Sequence, residues 1–158
     1  IIKNLPIPTD SDFWIKPPTA EYFLDVSNEF WHLTGYVAKG ICRGEILFAA
    51  SFIEAHLRVQ LFTMLSWQIG TIYGYNFSLG KCNKFIENYI PEEWWKLLLK
   101  TYRLDSIPML WEALFAAINL FTKASKALAK ANSYEYPDFA DKMEKYISSM
   151  HEKYKFKL

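Results

Sequence analysis

Residues 16–48 carry the most regular pattern of polar and apolar positions in the chain, with the period of a helix. At about 100° per residue, its polar residues fall within roughly one third of the helix circumference. We call them the polar stripe: Asp25, Asn28, Glu29, His32, Tyr36, Lys39 and Arg43. The apolar residues share a different sector: Phe23, Val26, Phe30, Leu33, Val37, Ile41 and Phe48. A solvated helix face normally repeats Lys and Glu, whereas this mixture of acid, amide, imidazole, phenol and cation favours the wall of a binding site.

The same period predicts helices along most of the remaining chain. The first helix begins after an N-cap at Thr19 and ends near Gly40 or Gly44. The second, at about 45–69, is apolar almost all round and is predicted to be the central buried element. Further helices are predicted at about 82–89, 91–101, 107–131 and 137–153. Because no segment sustains strand alternation, the predicted fold class is all-α, a five- to six-helix up-and-down bundle.

Prolines are concentrated before this bundle: Pro6, Pro8, Pro17 and Pro18. Proline fixes φ and disfavours helix at the preceding residue, so residues 1–18 are predicted to be an extended Pro-rich arm or interdomain linker, and 19–158 the helical domain. Asp10 and Asp12 have the letters of an acidic pair, but they lie in a proline-flanked arm with no strand pattern around them, which favours a turn or cap. The first methionine is Met64, so we expect the chain to be a piece of a longer protein.

Composition narrows the class of protein. The chain has 158 residues, of which 51% are hydrophobic and 18% aromatic, which suits one globular domain with a large aromatic core. The net charge is +1 and no block of like charge occurs, so nucleic-acid binding is not expected. Cys42, Cys82 and the three histidines lack metal-site spacing, which predicts no metal in this chain. Low cysteine usage fits a cytoplasmic location.

Charged residues interrupt the longest apolar run, 46–65. Glu54, His56 and Arg58 lie within it, so a membrane partner is not expected. Glu54 and Arg58 also have the i, i+4 spacing that favours an ion pair on a helix.

Several segments are similar to one enzyme family. The first is KPPTAEYFLDVSNEFWHLTGYVAKGICRGEILFA, which begins at Lys16; the others are LPIPTDSDFWIKPP in the arm, FSLGK at 77–81 and LWEALF at 110–115. Together they resemble the aminoglycoside 6-adenylyltransferases, also called streptomycin adenylyltransferases. The resemblance covers nearly the whole chain and corresponds to the C-terminal helical domain of those enzymes.

This resemblance implies transfer of AMP from ATP to a hydroxyl of a streptomycin-like aminoglycoside, an antibiotic-resistance reaction that uses Mg²⁺. In that family the metal-binding catalytic acids lie in an N-terminal nucleotidyltransferase domain. The implication is that this chain contains no catalytic residue, is inactive alone, and has aminoglycoside, ATP and the N-terminal domain as its partners.

The resemblance also suggests roles for the polar stripe. The segment YVAK, ending at Lys39, looks like the place where related enzymes keep a lysine for the triphosphate, and Arg43 lies one turn further along. Glu29 and Asp25 would meet the polycationic drug, with His32 and Tyr36 as further polar contacts. The predicted substrate-binding residues are therefore Glu29, Asp25, His32 and Tyr36. The predicted phosphate-binding residues are Lys39 and Arg43. For the charged residues the alternative is a solvated side chain or an ion pair. For His32 it is a satisfied interface histidine, and for Tyr36 a ring at the rim of the core.

Two other classes of function remain open from the residues alone. One is a free-standing helical binding module that partners a separate nucleotidyltransferase chain. The other is a structural or oligomerisation domain whose aromatic face is its interface.

Overall fold

The computed structural model describes residues 9–155, whose regular structure is entirely helical. Five helices occur in this range: α1 Ala20–Cys42, α2 Ile46–Tyr73, α3 Glu92–Lys100, α4 Ile107–Asn132 and α5 Phe139–Lys155. No strand is present among the described residues, so the prediction of an all-α fold with five to six helices is confirmed. Of the arm, Pro6 and Pro8 lie outside the described residues.

Short polar caps define where the helices begin. The Thr19 side chain accepts a hydrogen bond from the Tyr22 backbone N–H at 3.1 Å, as predicted for the start of α1. Ser106 caps α4 in the same way, through the Met109 N–H at 3.4 Å. At the other end of α1, Gly44 has a φ of 73°, which confirms the predicted break there.

The α1–α2 hairpin is tight because Gly40 has no side chain. A Cβ atom at Gly40 would lie 2.6 Å from the Phe48 ring, closer than packed carbon atoms approach. The absence of a side chain therefore lets α2 return against the end of α1.

Helix α4 lies at the centre of the helical body. Leu110, Leu114, Phe121 and Leu128 on it are fully buried, and α1, α2 and α3 all pack against it. The Phe30 ring of α1 stacks on Phe121, with centroids 3.7 Å apart. The core is thus built around α4.

Helix α2 is less buried than its composition predicts. It contains a π-helical turn, Ile53–Leu57, and exposes Leu47 and Val59. By length and composition α2 could cross a membrane. Only 28% of its most apolar stretch is buried within the chain. The prediction that this helix is the central buried element is wrong, because α4 takes that position.

Arg58 joins α2 to the end of α3. Its guanidinium donates to the Thr101 hydroxyl at 2.6 Å and to the Thr101 carbonyl at 2.8 Å, and it stacks 3.6 Å from the centre of the Tyr102 ring. The predicted pair with Glu54 is absent from the ion pairs of residues 9–155, because the long-range contact takes the guanidinium instead.

The predicted short helix at 82–89 is not an α-helix. Two 3₁₀ turns, Lys81–Asn83 and Ile86–Asn88, occupy the segment. Cys82 and Asn83 adopt φ angles of 57° and 55°, which a right-handed helix does not allow.

The described part of the arm lies against the helical body. The Ile15 N–H donates to the Phe77 carbonyl at 3.0 Å, and the Tyr134 hydroxyl donates to the Pro18 carbonyl at 2.8 Å. Asp10 accepts a hydrogen bond from the Trp14 indole, so its carboxylate takes part in a local turn.

Candidate functional site

The polar stripe lies on one exposed face of α1. The apolar residues beside it are in the core, with Phe23, Phe30 and Val37 fully buried. The six predicted binding residues are all exposed: Asp25, Glu29, His32, Tyr36, Lys39 and Arg43. The sequence period therefore separates the two faces of α1 correctly.

An aromatic row connects the stripe to α2. The His32 and Tyr36 rings are 5.0 Å apart, Tyr36 stacks on Phe52 at 5.6 Å, and Phe52 lies 5.1 Å from the His56 ring. The sequence analysis did not place Phe52 or His56 beside the stripe. Their spacing with Phe48, at positions 48, 52 and 56 of one helix, is the pattern that could have indicated it.

Cations occupy the end of the stripe that lies near the α1 C-terminus. Lys39 Nζ lies 5.9 Å from the centre of the Tyr36 ring and forms no ion pair with a described residue. Arg43 instead makes two hydrogen bonds to Glu45, at 2.9 and 2.6 Å. These bonds raise the pKa of Arg43 and lower the pKa of Glu45. Because the pair is exposed to solvent, an incoming anion would displace Glu45 from Arg43 at little cost in free energy.

Carboxylates occupy the opposite end of the stripe. Asp25 and Glu29 are one helical turn apart, are exposed, and form no ion pair with any residue between 9 and 155. From Glu29 to Lys39 the chain advances ten residues, or roughly 15 Å at the rise of an α-helix. The stripe thus has an acidic end and a basic end, with the aromatic row between them.

The stripe is a ridge rather than a pocket. None of its six predicted residues lines any of four well-formed open clefts in the described part of the chain. The cleft closest to it in sequence has a volume of about 590 Å³ and contains Glu21, Leu24, Glu135 and Asp138. A ligand held by the stripe therefore needs a second wall.

The stripe does not assemble a metal site. Among residues 9–155 no three His, Cys, Asp or Glu side chains lie close enough together to hold a metal ion.

Comparison with known proteins places the chain beside one group of enzymes. The family model described as streptomycin adenylyltransferase matches residues 1–150. The aminoglycoside 6-adenylyltransferase of Campylobacter jejuni is 44% identical over 149 residues, which are 94% of this chain and 52% of that protein. The enzyme of the same name from Bacillus subtilis (strain 168) is 40% identical over 91% of this chain and 51% of its own length.

A solved structure has the same fold. The crystal structure of an aminoglycoside 6-adenyltransferase from Bacillus subtilis superposes with a TM-score of 0.79 at 37% identity, covering 94% of this chain and 57% of that one. The relative from Staphylococcus aureus is 37% identical over 92% of this chain. This chain spans about half the length of the curated relatives that it matches.

Proposed function

We propose, from the premise that this chain belongs to the streptomycin adenylyltransferase family, that its polar stripe is one wall of an aminoglycoside- and ATP-binding site. The other wall is an N-terminal nucleotidyltransferase half, which carries the catalytic acids. The observation that supports this proposal is the separation of charge along one exposed face of α1, from Asp25 and Glu29 to Lys39.

The acidic end of the stripe suits the drug. A streptomycin-like aminoglycoside carries several positive groups, and Asp25 and Glu29 offer carboxylates that no cation of the described chain neutralises. His32 and Tyr36 lie beside them and present ring edges, a hydroxyl and imidazole nitrogens for hydrogen bonds to sugar hydroxyls. This end of the stripe binds and orients the acceptor.

The basic end of the stripe suits the nucleotide. AMP transfer joins an aminoglycoside oxygen to the α-phosphorus of ATP and breaks the bond to pyrophosphate, so negative charge increases on the departing phosphates. Lys39 offsets that charge, and Arg43 joins it by exchanging Glu45 for a phosphate oxygen. Mg²⁺ would be held by the nucleotidyltransferase half and would supply charge neutralisation during the transfer.

Kinetic measurement on the complete enzyme tests the proposal. Glu29→Gln and Lys39→Ala should each lower kcat/KM for AMP transfer to streptomycin by roughly tenfold or more, the loss expected for one charge-assisted contact. Glu87→Gln and Lys142→Ala, which change exposed charges away from the stripe, are the matched controls and should leave kcat/KM unchanged.

The isolated chain is the second arm of this test. It should transfer no AMP, since it lacks the catalytic acids. Turnover by the isolated chain, or stripe variants that behave like the two controls, contradicts the proposal.

A further inference from the structure

Helix α2 has an apolar face that the described chain covers only in part. Leu47 is 84% exposed and Val59 53% exposed, and only 28% of the most apolar stretch of the helix is buried. Scattered exposed apolar residues are ordinary on a protein surface, but a contiguous apolar face marks an interaction site.

The exposed residues share one side of the helix. At about 100° per residue, the residues of this side fall within an arc of about 140°. We call its apolar residues the α2 face: Leu47, Phe48, Phe52, Ala55 and Val59; the exposed Ser51 falls within the same arc. Phe48 and Phe52 are half-buried, with ring centroids 4.6 Å apart, so these two rings form one apolar patch between the two exposed ends.

A cleft extends the α2 face along the helix. It has a volume of about 510 Å³, and Val59 and Phe62 of α2 form one wall. Phe13 of the arm and Tyr22 of α1 form others, while Lys16, Glu54 and Arg58 contribute charges. An apolar surface that ends in an open cleft of this size can seat a large side chain from a second folded unit.

The residues around the α2 face indicate whether a lipid bilayer or a folded unit covers it. Glu54, His56 and Arg58 lie on the same helix, and a charged side chain at the centre of a membrane span costs about 2.5–3.5 kcal/mol. This disfavours a lipid bilayer. On its other side the α2 face borders the polar stripe, because Phe52 stacks on Tyr36 at 5.6 Å. Whatever covers the face therefore lies next to the open ridge that needs a second wall.

The lengths of the curated relatives indicate which folded unit covers the α2 face. The matching region is 52% of the Campylobacter jejuni relative and 51% of the Bacillus subtilis one, so each of those proteins has nearly as much polypeptide again. We propose that the α2 face and its cleft are the docking surface for the nucleotidyltransferase half of the complete enzyme. This inference rests on the proposed function for the identity of that half, and it adds the contact that holds the half beside the stripe.

Cysteine labelling measures this docking directly. In a background without reactive native thiols (Cys42→Ala and Cys82→Asn, since Asn tolerates the positive φ at position 82), single cysteines replace Leu47 or Val59. The control is Tyr146→Cys on α5, a site that is 47% exposed and lies on another helix. Maleimide labelling rates are compared between the isolated chain and the complete enzyme.

The expected result is selective protection. All three cysteines should react quickly in the isolated chain, and those at 47 and 59 should react at least roughly tenfold more slowly in the complete enzyme, as expected when labelling needs the domains to separate. The cysteine at 146 should react equally in both proteins. Equal rates at 47 and 59 in the two proteins overturn the proposal.

Two further outcomes assign the α2 face to another occupant and also overturn the proposal. One is protection of the isolated chain that increases with its concentration, which indicates a second copy. The other is protection by phosphatidylcholine–phosphatidylglycerol vesicles, which indicates a lipid surface. Streptomycin binding by the same complete enzyme is measured in parallel. Protection without binding refutes the proposed function alone, and binding without protection refutes the docking surface alone.

Discussion

At the scale of single residues, long-range contacts decide what a charged side chain does. The i, i+4 spacing of Glu54 and Arg58 predicts a local pair, but Arg58 is 8% exposed and bonds to Thr101, 43 residues away. Burial lowers the pKa of its guanidinium, and two hydrogen bonds with a stacked Tyr102 ring compensate for the lost hydration. Nothing in local spacing encodes a partner so distant in sequence.

Replacement of this side chain tests its structural role. Arg58→Met should lower the free energy of unfolding by about 1–3 kcal/mol, because the Thr101 carbonyl at the end of α3 loses its partner. Arg103→Met, at an exposed arginine on the following turn, is the control and should change it by less than about 0.5 kcal/mol. Urea unfolding at neutral pH gives both values. Equal effects of the two substitutions contradict a special role for Arg58.

Tyr136 gives a prediction in alkaline solution. Burial raises the pKa of its phenol, and its hydroxyl lies 3.4 Å from the Ser125 hydroxyl. A raised pKa in the folded state means that the folded protein holds the proton more tightly than the unfolded chain. Its contribution to stability is therefore complete below the unfolded pKa of about 10 and is lost as the pH rises through the folded pKa.

The corresponding measurement compares Tyr136→Phe with the unaltered chain between pH 8 and 11, by urea unfolding. The variant should lose less stability above about pH 10, because Phe has no proton to release. Tyr146→Phe, on an exposed tyrosine, controls for the other phenols and should follow the unaltered chain. Parallel curves for all three proteins contradict this assignment.

At the scale of elements, the helices follow from local rules. The Thr19 cap, the positive φ of Gly44 and the apolar period of α4 are all visible in the sequence, and the observed helices begin and end close to the predicted residues. Two features do not follow from the sequence. The π turn Ile53–Leu57 has no marker residue, and the 3₁₀ turn Lys81–Asn83 contains positive φ angles at Cys82 and Asn83.

The α1–α2 hairpin provides a prediction at this scale. Alanine normally stabilises a helix by about 0.8–1.0 kcal/mol over glycine. At Gly40 the new Cβ would meet the Phe48 ring at 2.6 Å, so Gly40→Ala should instead destabilise the chain by about 1–3 kcal/mol.

Gly35→Ala is the matched control, since its Cβ would meet only the Met143 methyl at an ordinary 3.9 Å. It should be neutral or stabilising by up to about 1 kcal/mol. Thermal unfolding of both variants separates the two cases, and Phe48→Ala should relieve the penalty at Gly40. A stabilising Gly40→Ala contradicts the close packing of the hairpin.

At the scale of the whole molecule, the sequence predicts which residues form the candidate site, but not which residues of other helices surround it. Polarity and period are enough to place Glu29 and Lys39 on one exposed face of α1. The neighbouring Phe52 and His56 depend on how α2 packs beside α1, which periodicity does not specify. The apolar composition of α2 predicts burial, but the helix leaves Leu47 exposed; apolar composition alone does not tell a core helix from an interface helix.

In the proposed function, opposite ends of one face of α1 meet ligands of opposite charge. Calorimetric titration of the complete enzyme with streptomycin and with ATP·Mg tests this most directly. Glu29→Gln should weaken streptomycin binding by roughly 5- to 30-fold, the equivalent of about 1–2 kcal/mol, and leave the ATP affinity within about twofold. Lys39→Ala should have the reverse effect. Unchanged affinities in both variants, or equal losses for both ligands in each, would contradict the account.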